Sequence, residues 1–193
     1  MTTTPNLDDP RVKRTRQLLQ QALIALMQEK AFQDITVQDI AERATVNRAT
    51  FYAHFEDKYA LLDTCMREQF QQMLAHRLSG TATLQPAALR NLVATTCEFL
   101  ALVQHDCTPA DHQFDPLLET VLQGELYTVL VGWLRRASTQ RSQQVPIETT
   151  ATVISWAIFG GANAWSRSDR RPPVSEVADQ IIAVVTQGLE RLV

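Results

Sequence analysis

Apolar residues recur every three or four positions along almost the whole chain, which is the spacing of a buried stripe on an α-helix. The first stripe lies within Val12–Glu29 and consists of Leu18, Leu19, Ala22, Leu23, Leu26 and Met27. The sequence has no alternating apolar and polar run long enough to predict a β-strand. The pattern therefore predicts an all-α protein of about nine helices.

Capping residues and prolines mark where the later helices begin and end. Thr36, followed three positions later by Asp39, is typical of an N-cap with an acid in the first turn, and Asn47 opens a further short helix. Pro86 and Pro116 suit the first position of two longer helices. The longer helices are predicted over Lys58–Leu78, from Pro86, from Asp115 to about Ser138, over Glu148–Ser166 and over Val174–Leu192.

The two short helices are separated only by Ala44–Val46, as in a helix-turn-helix, whose second helix enters the major groove of DNA. Arginine can read guanine through two hydrogen bonds, threonine can meet a thymine methyl, and tyrosine and lysine suit phosphate oxygens. The outward polar residues of the second helix are Asn47, Arg48, Thr50, Tyr52 and His54. Short helix pairs also occur in other helical proteins, so the spacing alone leaves a solvated amphipathic pair equally open.

Charge is distributed unevenly along the chain. The net formal charge of the 193 residues is −3, yet Arg11, Lys13, Arg14 and Arg16 form a basic cluster without an acidic neighbour among them. Such a local patch is what attracts phosphates, because charges more than about 8 Å apart are screened at physiological salt. The sequence shows neither a signal peptide nor an uncharged apolar run of membrane-spanning length. We therefore expect a cytoplasmic protein without membrane contact.

The stretch Thr15–Leu62 resembles the DNA-binding domain of TetR-family transcriptional regulators. The residues that carry the resemblance are Thr15-Arg16, Phe32, Thr36-Val37, Asp39-Ile40-Ala41, Ala44, Val46, Thr50-Phe51-Tyr52, His54-Phe55, Lys58 and Leu61-Leu62. The resemblance implies a helix-turn-helix domain over residues 1–58 and a ligand-binding and dimerisation domain over residues 59–193. It also implies a homodimer that binds a palindromic double-stranded DNA operator.

The same resemblance assigns roles to individual residues. Thr36 corresponds to a phosphate-contacting cap, and Arg48 and Thr50 correspond to positions that face base edges. The residues that correspond to contacts with the DNA backbone are Tyr52, His54 and Lys58. With Asn47, these make up the predicted DNA-binding set.

Two positions depart from the family pattern. Many members have glycine where this chain has Ala31, and glycine in the turn where it has Thr45. A β-branched residue is poorly suited to positive φ. We therefore expect the turn to use another backbone geometry.

The larger domain carries no diagnostic motif. Aromatic and flexible apolar residues are candidates to line a ligand pocket between its helices: Phe70, Met73, Phe99, Val103, Phe114, Leu118, Tyr127 and Trp133. Core packing is the commoner fate of such residues.

One segment combines metal-ligating residue types, namely His105, Cys107 and His112 with Asp106, Asp111 and Asp115. The spacing is irregular, and a polar loop between helices has the same composition, so no metal and no cofactor is predicted. The three cysteines, Cys65, Cys97 and Cys107, lack CxxC spacing and are expected as reduced thiols. No basic residue lies beside Cys107 to favour a redox role.

The last two helices carry more apolar surface than a single buried stripe needs. Small residues, Ala157, Gly160, Gly161 and Ala164, would allow a close helix approach, and Ile154, Ile158 and Trp165 add apolar area. The apolar residues of the last helix are Val177, Ile181, Ile182, Val184, Val185, Leu189 and Leu192. This surface predicts homodimerisation, with burial inside a large domain as the alternative.

Three functions are compatible with the sequence. The first is a repressor released from its operator by a small, largely apolar ligand. The second is a DNA-binding protein of the same fold without an inducer, either architectural or activating. The third, a helical enzyme or binding protein, is disfavoured because no nucleophile–base pair, phosphate loop or paired-carboxylate motif is visible.

Overall fold

A computed structural model describes residues 9–78, 84–106, 115–137, 145–169 and 171–187. Within these ranges the chain forms eight α-helices and one 3-10 turn and no β-strand, which confirms the all-α prediction with one helix fewer than expected. The elements are α1 (Pro10–Met27), the 3-10 turn (Phe32–Asp34), α2 (Val37–Arg43), α3 (Arg48–His54), α4 (Lys58–Leu78), α5 (Pro86–Asp106), α6 (Asp115–Ala137), α7 (Ile147–Ser166) and α8 (Val174–Gln187).

The chain divides into two compact units. Among the described residues, the first unit holds 9–66 with 106 and 115, and the second holds those within 67–105 and 116–187. This division falls inside α4, whereas the sequence places a domain boundary at residue 58, where that helix begins. The domain ranges 1–58 and 59–193 therefore remain a prediction.

In the first unit, α1 packs against α2 and α3 around a small apolar core. α1 begins at Pro10 because Asp9 caps it, its carboxylate accepting the Arg11 N–H at 2.8 Å. Full burial of one such apolar side chain contributes roughly 1.5–3 kcal/mol, so the core outweighs the poor intrinsic stability of the short helices. The fully buried side chains are Leu19, Leu23, Phe32, Ile35, Ile40, Phe51 and Leu61.

The turn between α2 and α3 contains a residue at positive φ, so the expectation that it uses another backbone geometry is wrong. Thr45 has φ 58°. Its N–H donates to the Glu42 carbonyl at 3.0 Å, and the Val46 N–H donates to the Ala41 carbonyl at 2.9 Å. These bonds occupy the last carbonyls of α2 in the Schellman pattern and hold Thr45 in a conformation that favours glycine. Ala31, by contrast, has φ −58° and ψ 142°, which any residue adopts.

In the second unit, α5 is a core helix. Its residues Pro86–Gln104 are long and apolar enough to cross a membrane by length and composition, the one such stretch in the part of the chain that the structure describes. Half of that stretch is buried inside the protein, and it includes the charged residues Arg90 and Glu98. Core helices of this kind commonly pass the same test, so it is weak evidence for a membrane span.

The α7–α8 contact uses one of the two neighbouring glycines of α7 within the chain. A Cβ added to Gly161 would lie 2.6 Å from Cδ1 of Ile181 on α8, whereas one added to Gly160 would meet nothing within 4 Å. Gly161 thus permits a close approach within the chain. Gly160, the other glycine of the pair, is exposed. On α8, Val177 and Ala178 are buried within the chain itself.

Replacing Thr45 by glycine should stabilise the first unit. The substitution removes the Cβ clash at positive φ, worth about 1–2 kcal/mol, and adds about 0.5–1 kcal/mol of backbone entropy cost. The expected gain is about 0.5–1 kcal/mol in the free energy of unfolding, measured by thermal unfolding followed by circular dichroism. Thr45→Ala retains the Cβ and serves as the control. Equal stability of the two variants would contradict the strain.

Candidate nucleic-acid interface

α3 turns one face to the core and the other to solvent. Phe51 lies on the inner face and is fully buried, while Arg48, Tyr52 and Ala53 are exposed. The helix is capped as predicted: the Asn47 side-chain carbonyl accepts the Thr50 N–H at 2.7 Å and the Thr50 hydroxyl at 3.0 Å. The capped N-terminus and the outer face therefore form one accessible surface.

Arg48 and Tyr52 stand one turn apart on this surface and contact each other. An Nη of Arg48 lies 3.4 Å from the tyrosine hydroxyl, and the guanidinium carbon lies 5.8 Å from the ring centroid. Such a contact is within the range of a cation–π interaction. A guanidinium has five N–H donors, so this pairing orients Arg48 and leaves donors for a further acceptor.

The other end of α3 is held by Arg16 of α1. Its Nη1 donates to the His54 carbonyl at 3.1 Å, and its guanidinium carbon lies 4.3 Å from the centroid of the Phe55 ring. A cation at a helix C-terminus offsets the partial negative charge of the last carbonyls. Arg16, a member of the basic cluster, therefore makes a structural contact with α3.

His54 is half-buried beside Arg16. Its Nδ1 is the one buried side-chain polar atom that lacks a hydrogen-bond partner in the described part of the chain. Burial lowers the pKa of His54 below its ordinary value, and the positive charge of Arg16 lowers the pKa further. The imidazole is consequently neutral at physiological pH and has one N–H to donate.

Thr36 caps α2 through a reciprocal bond with Asp39. The Asp39 N–H donates to the Thr36 hydroxyl oxygen at 3.1 Å, and the Thr36 N–H donates to the Asp39 carboxylate at 2.8 Å. A hydrogen bond from Lys30, followed by those from Thr36, holds the pKa of Asp39 far below its usual range. The capping predicted from sequence is confirmed, and Thr36 remains exposed.

Lys58 has contacts that the sequence did not indicate. Its Nζ donates to the carbonyls of Phe32, Gln33 and Ile35 at 2.9, 3.0 and 2.7 Å. Burial lowers the pKa of Lys58 from its ordinary value. The resemblance assigns Lys58 a contact with the DNA backbone. That contact would have to compete with these three hydrogen bonds.

Residues 19–65 match the family described as bacterial regulatory proteins, tetR family. The match lies within the first unit and includes α2 and α3. Over 69 residues it is 38% identical to the uncharacterized HTH-type transcriptional regulator YxbF of Bacillus subtilis (strain 168), and over 69 residues 33% identical to the transposon Tn10 TetC protein of Escherichia coli. These matches cover 35% and 36% of the chain, but only 18% and 35% of the two relatives.

The fold extends the likeness beyond the matched segment. The structure of the regulator FadR from Bacillus subtilis in complex with stearoyl-CoA superimposes with a TM-score of 0.58 at 17% identity, covering 89% of this chain and 98% of FadR. At that identity the likeness concerns the fold alone. The second unit therefore shares a helical fold with this structure, with a sequence of its own.

Most of the predicted pocket residues lie in the core of the second unit. Phe70 and Phe99 are fully buried, with ring centroids 5.2 Å apart. Leu118 and Trp133 are buried too, and the half-buried candidates are Met73, Val103 and Tyr127. Phe114 lies outside the described residues. Whether these residues line a pocket stays a prediction.

A polar cluster in the second unit was missed from the sequence. Glu125 has a buried carboxylate, with its side chain 11% exposed, which accepts bonds from Arg67 at 2.8 Å and from Gln71 at 2.9 Å. The signal was available, because Glu125 falls on the apolar face of α6 between Leu122 and Leu126.

The segment with metal-ligating composition falls mostly outside the described residues. Cys107, Asp111 and His112 are not described, nor are the side chains of His105 and Asp106. Among the residues that are described, no group of three His, Cys, Asp or Glu side chains is placed to hold a metal ion. Cys97 is buried, which raises the pKa of its thiol to about 12.

Changing Asn47 should test the cap of α3 directly. Asn47→Ala removes the acceptor for the Thr50 N–H and should lower the free energy of unfolding by about 1 kcal/mol. Asn47→Asp keeps an acceptor oxygen and adds a negative charge at the helix N-terminus, which is favourable there, so it should retain stability. Urea unfolding of the three proteins measures the difference. A loss that is equal in both variants would show that the cap is not the cause.

Proposed function

We propose that this protein is a sequence-specific DNA-binding transcriptional regulator that uses α3 as its recognition helix. The observation that carries the proposal is the two-sided character of α3. Phe51 fixes the inner face in the core, while the capped N-terminus presents Arg48 to solvent. A helix N-terminus with an exposed arginine is the arrangement that reads base edges in helix-turn-helix proteins.

The remaining polar residues divide by their position around α3. We assign Arg48 and Thr50 to base edges, because they occupy the first turn. We assign Tyr52, the imidazole of His54 and the cap residues Thr36 and Asn47 to phosphate or groove-edge contacts, which position a helix without reading sequence. The proposal includes no catalytic activity, metal or cofactor. A regulator of this kind would act in the cytoplasm.

Arg48→Ala should weaken operator binding by about 1–3 kcal/mol and relax the preference for one base pair in each half-site. Arg43→Ala is the matched control, because the Arg43 guanidinium is exposed on α2 but bound to Glu29 at 2.7 Å. The operator is first obtained by selection from random DNA, and both variants are then titrated with operator and scrambled duplexes. An equal loss on the two duplexes would reject base reading by Arg48.

Asn47→Asp gives a second test of the same surface. Because it preserves the cap, any loss of binding reports on charge at the groove rather than on folding. A carboxylate facing phosphates repels the duplex. Failure of the wild-type protein to enrich any DNA sequence would reject the proposed function itself and favour a helical binding protein.

We further propose that a small, largely apolar ligand releases the protein from its operator. The solved FadR structure contains stearoyl-CoA, and the second unit here has the same fold with an aromatic interior around Phe70 and Phe99. Release requires that the ligand bind the DNA-free conformation more tightly, and a coupling of about 1–3 kcal/mol lowers operator affinity about 5–150-fold. Operator titrations with and without fatty acyl compounds test this step. An unchanged affinity would favour an architectural or activating protein.

A homodimer that matches a palindromic operator is the third part of the proposal. One face of α7 carries Val153, Trp156, Gly160 and Ala164, spaced to lie on one side of the helix. Val153 is 63% exposed and Trp156 50% exposed, and the two small residues are exposed as well. An exposed apolar face of this kind favours a two-fold contact with a second copy.

Trp156→Glu should therefore give a monomer by light scattering, because a buried unpaired carboxylate is costly. The monomer should also bind a palindromic operator more weakly, since only one recognition helix is then delivered at a time. Val145→Glu is the control, because Val145 is 51% exposed but precedes α7. A Trp156→Glu protein that remains dimeric with its helix content intact would place the interface elsewhere.

A further inference from the structure

Lys58, the first residue of α4, has its whole hydrogen-bonding capacity engaged inside the first unit. Its three acceptors are the carbonyls of Phe32, Gln33 and Ile35, all within 3.0 Å of Nζ. An ammonium group has three N–H donors and no acceptor. In this arrangement no donor remains for a phosphate oxygen.

The surroundings of the ammonium explain why a cation is needed there. The 3-10 turn Phe32–Asp34 ends at this point, and its Phe32 carbonyl also accepts the Ile35 N–H at 3.0 Å. The last carbonyls of a helical turn otherwise lack donors within the turn itself. The bonds to the Phe32 and Ile35 carbonyls are partly buried, which limits the access of water to these two oxygens, whereas Gln33 is exposed. The Phe32 ring lies 4.7 Å from Nζ and adds a cation–π contact. A buried carbonyl left without a donor is costly.

We propose that Lys58 is a positioning residue and not a phosphate contact. It ties the first turn of α4 to the turn that precedes the helix-turn-helix, and thereby fixes where α2 and α3 lie with respect to the start of α4. Its effect on operator binding acts through this geometry. The binding part of the proposal rests on the proposed DNA-binding function, whereas the hydrogen bonds can be tested without DNA.

The DNA-free experiment observes the ammonium itself. The chain has three lysines, Lys13, Lys30 and Lys58, so the side-chain ¹⁵N spectrum is simple, and the signal of Lys58 is assigned by its loss in Lys58→Arg. The proposal requires an ammonium signal of Lys58 that is visible at neutral pH in the free protein, because its protons exchange slowly. Exchange at the rate of a solvated ammonium would overturn it.

The DNA experiment compares Lys58→Met with wild type over a range of salt concentrations. Methionine keeps most of the apolar stem but donates no hydrogen bond. We expect operator affinity to fall on the order of tenfold, with an unchanged slope of log affinity against log salt. The unfolding midpoint should fall by about 2–4 °C. Binding is measured well below that midpoint, where a residue that only stabilises the fold leaves affinity unchanged.

Two results would overturn the proposal. A slope lowered by about 0.9 for each subunit engaged would show that Lys58 neutralises a phosphate. An affinity equal to that of wild type, with the variant folded, would show that Lys58 does not position the helices. Arg14→Met removes an exposed cation of the same unit and is the matched control for the loss of one positive charge. If the wild-type protein binds no DNA, the proposed function fails, and the spectrum still decides the state of Lys58.

Discussion

A helix of seven residues is marginal in water by itself, since isolated helices shorter than about 12–15 residues rarely form. α3 therefore depends on the burial of Phe51, which anchors its inner face, and on contacts at its two ends. Asn47 supplies the N-terminal acceptor, and Arg16 reaches from α1 to the last carbonyl. These three contacts hold the helix in place. For this reason its outer face presents Arg48 in a single orientation.

Four basic residues of the first unit differ in what they bind. Arg16 and Lys58 donate to backbone carbonyls, and Arg43 binds the Glu29 carboxylate. Arg48 is exposed, with a tyrosine beside it. Three of these four side chains are thus bonded within the protein, so the number of basic residues in the first unit exceeds the number available to phosphates in the proposed DNA complex.

Local features of the site could be predicted from the sequence, and features that depend on distant partners could not. The caps at Thr36 and Asn47 were predictable because each partner lies three residues along the chain. The carbonyls bound by Lys58 lie 23 to 26 residues away. The positive φ of Thr45 was missed because intrinsic preference opposes it, while the packing and the bonds that end α2 impose it. Gly161 likewise depends on Ile181, which belongs to another helix.

The polar contacts of α4 limit how this helix can move. In the second unit, Arg67 and Gln71 bind the two oxygens of the buried Glu125 carboxylate. Burying charge is expensive, so such a pair is weak evidence for stability and better understood as fixing position. Apolar contacts tolerate sliding, whereas these bonds and the three at Lys58 each require one register. A shift of α4 along its axis would therefore break the bonds to Glu125 in the second unit and the bonds of Lys58 in the first unit.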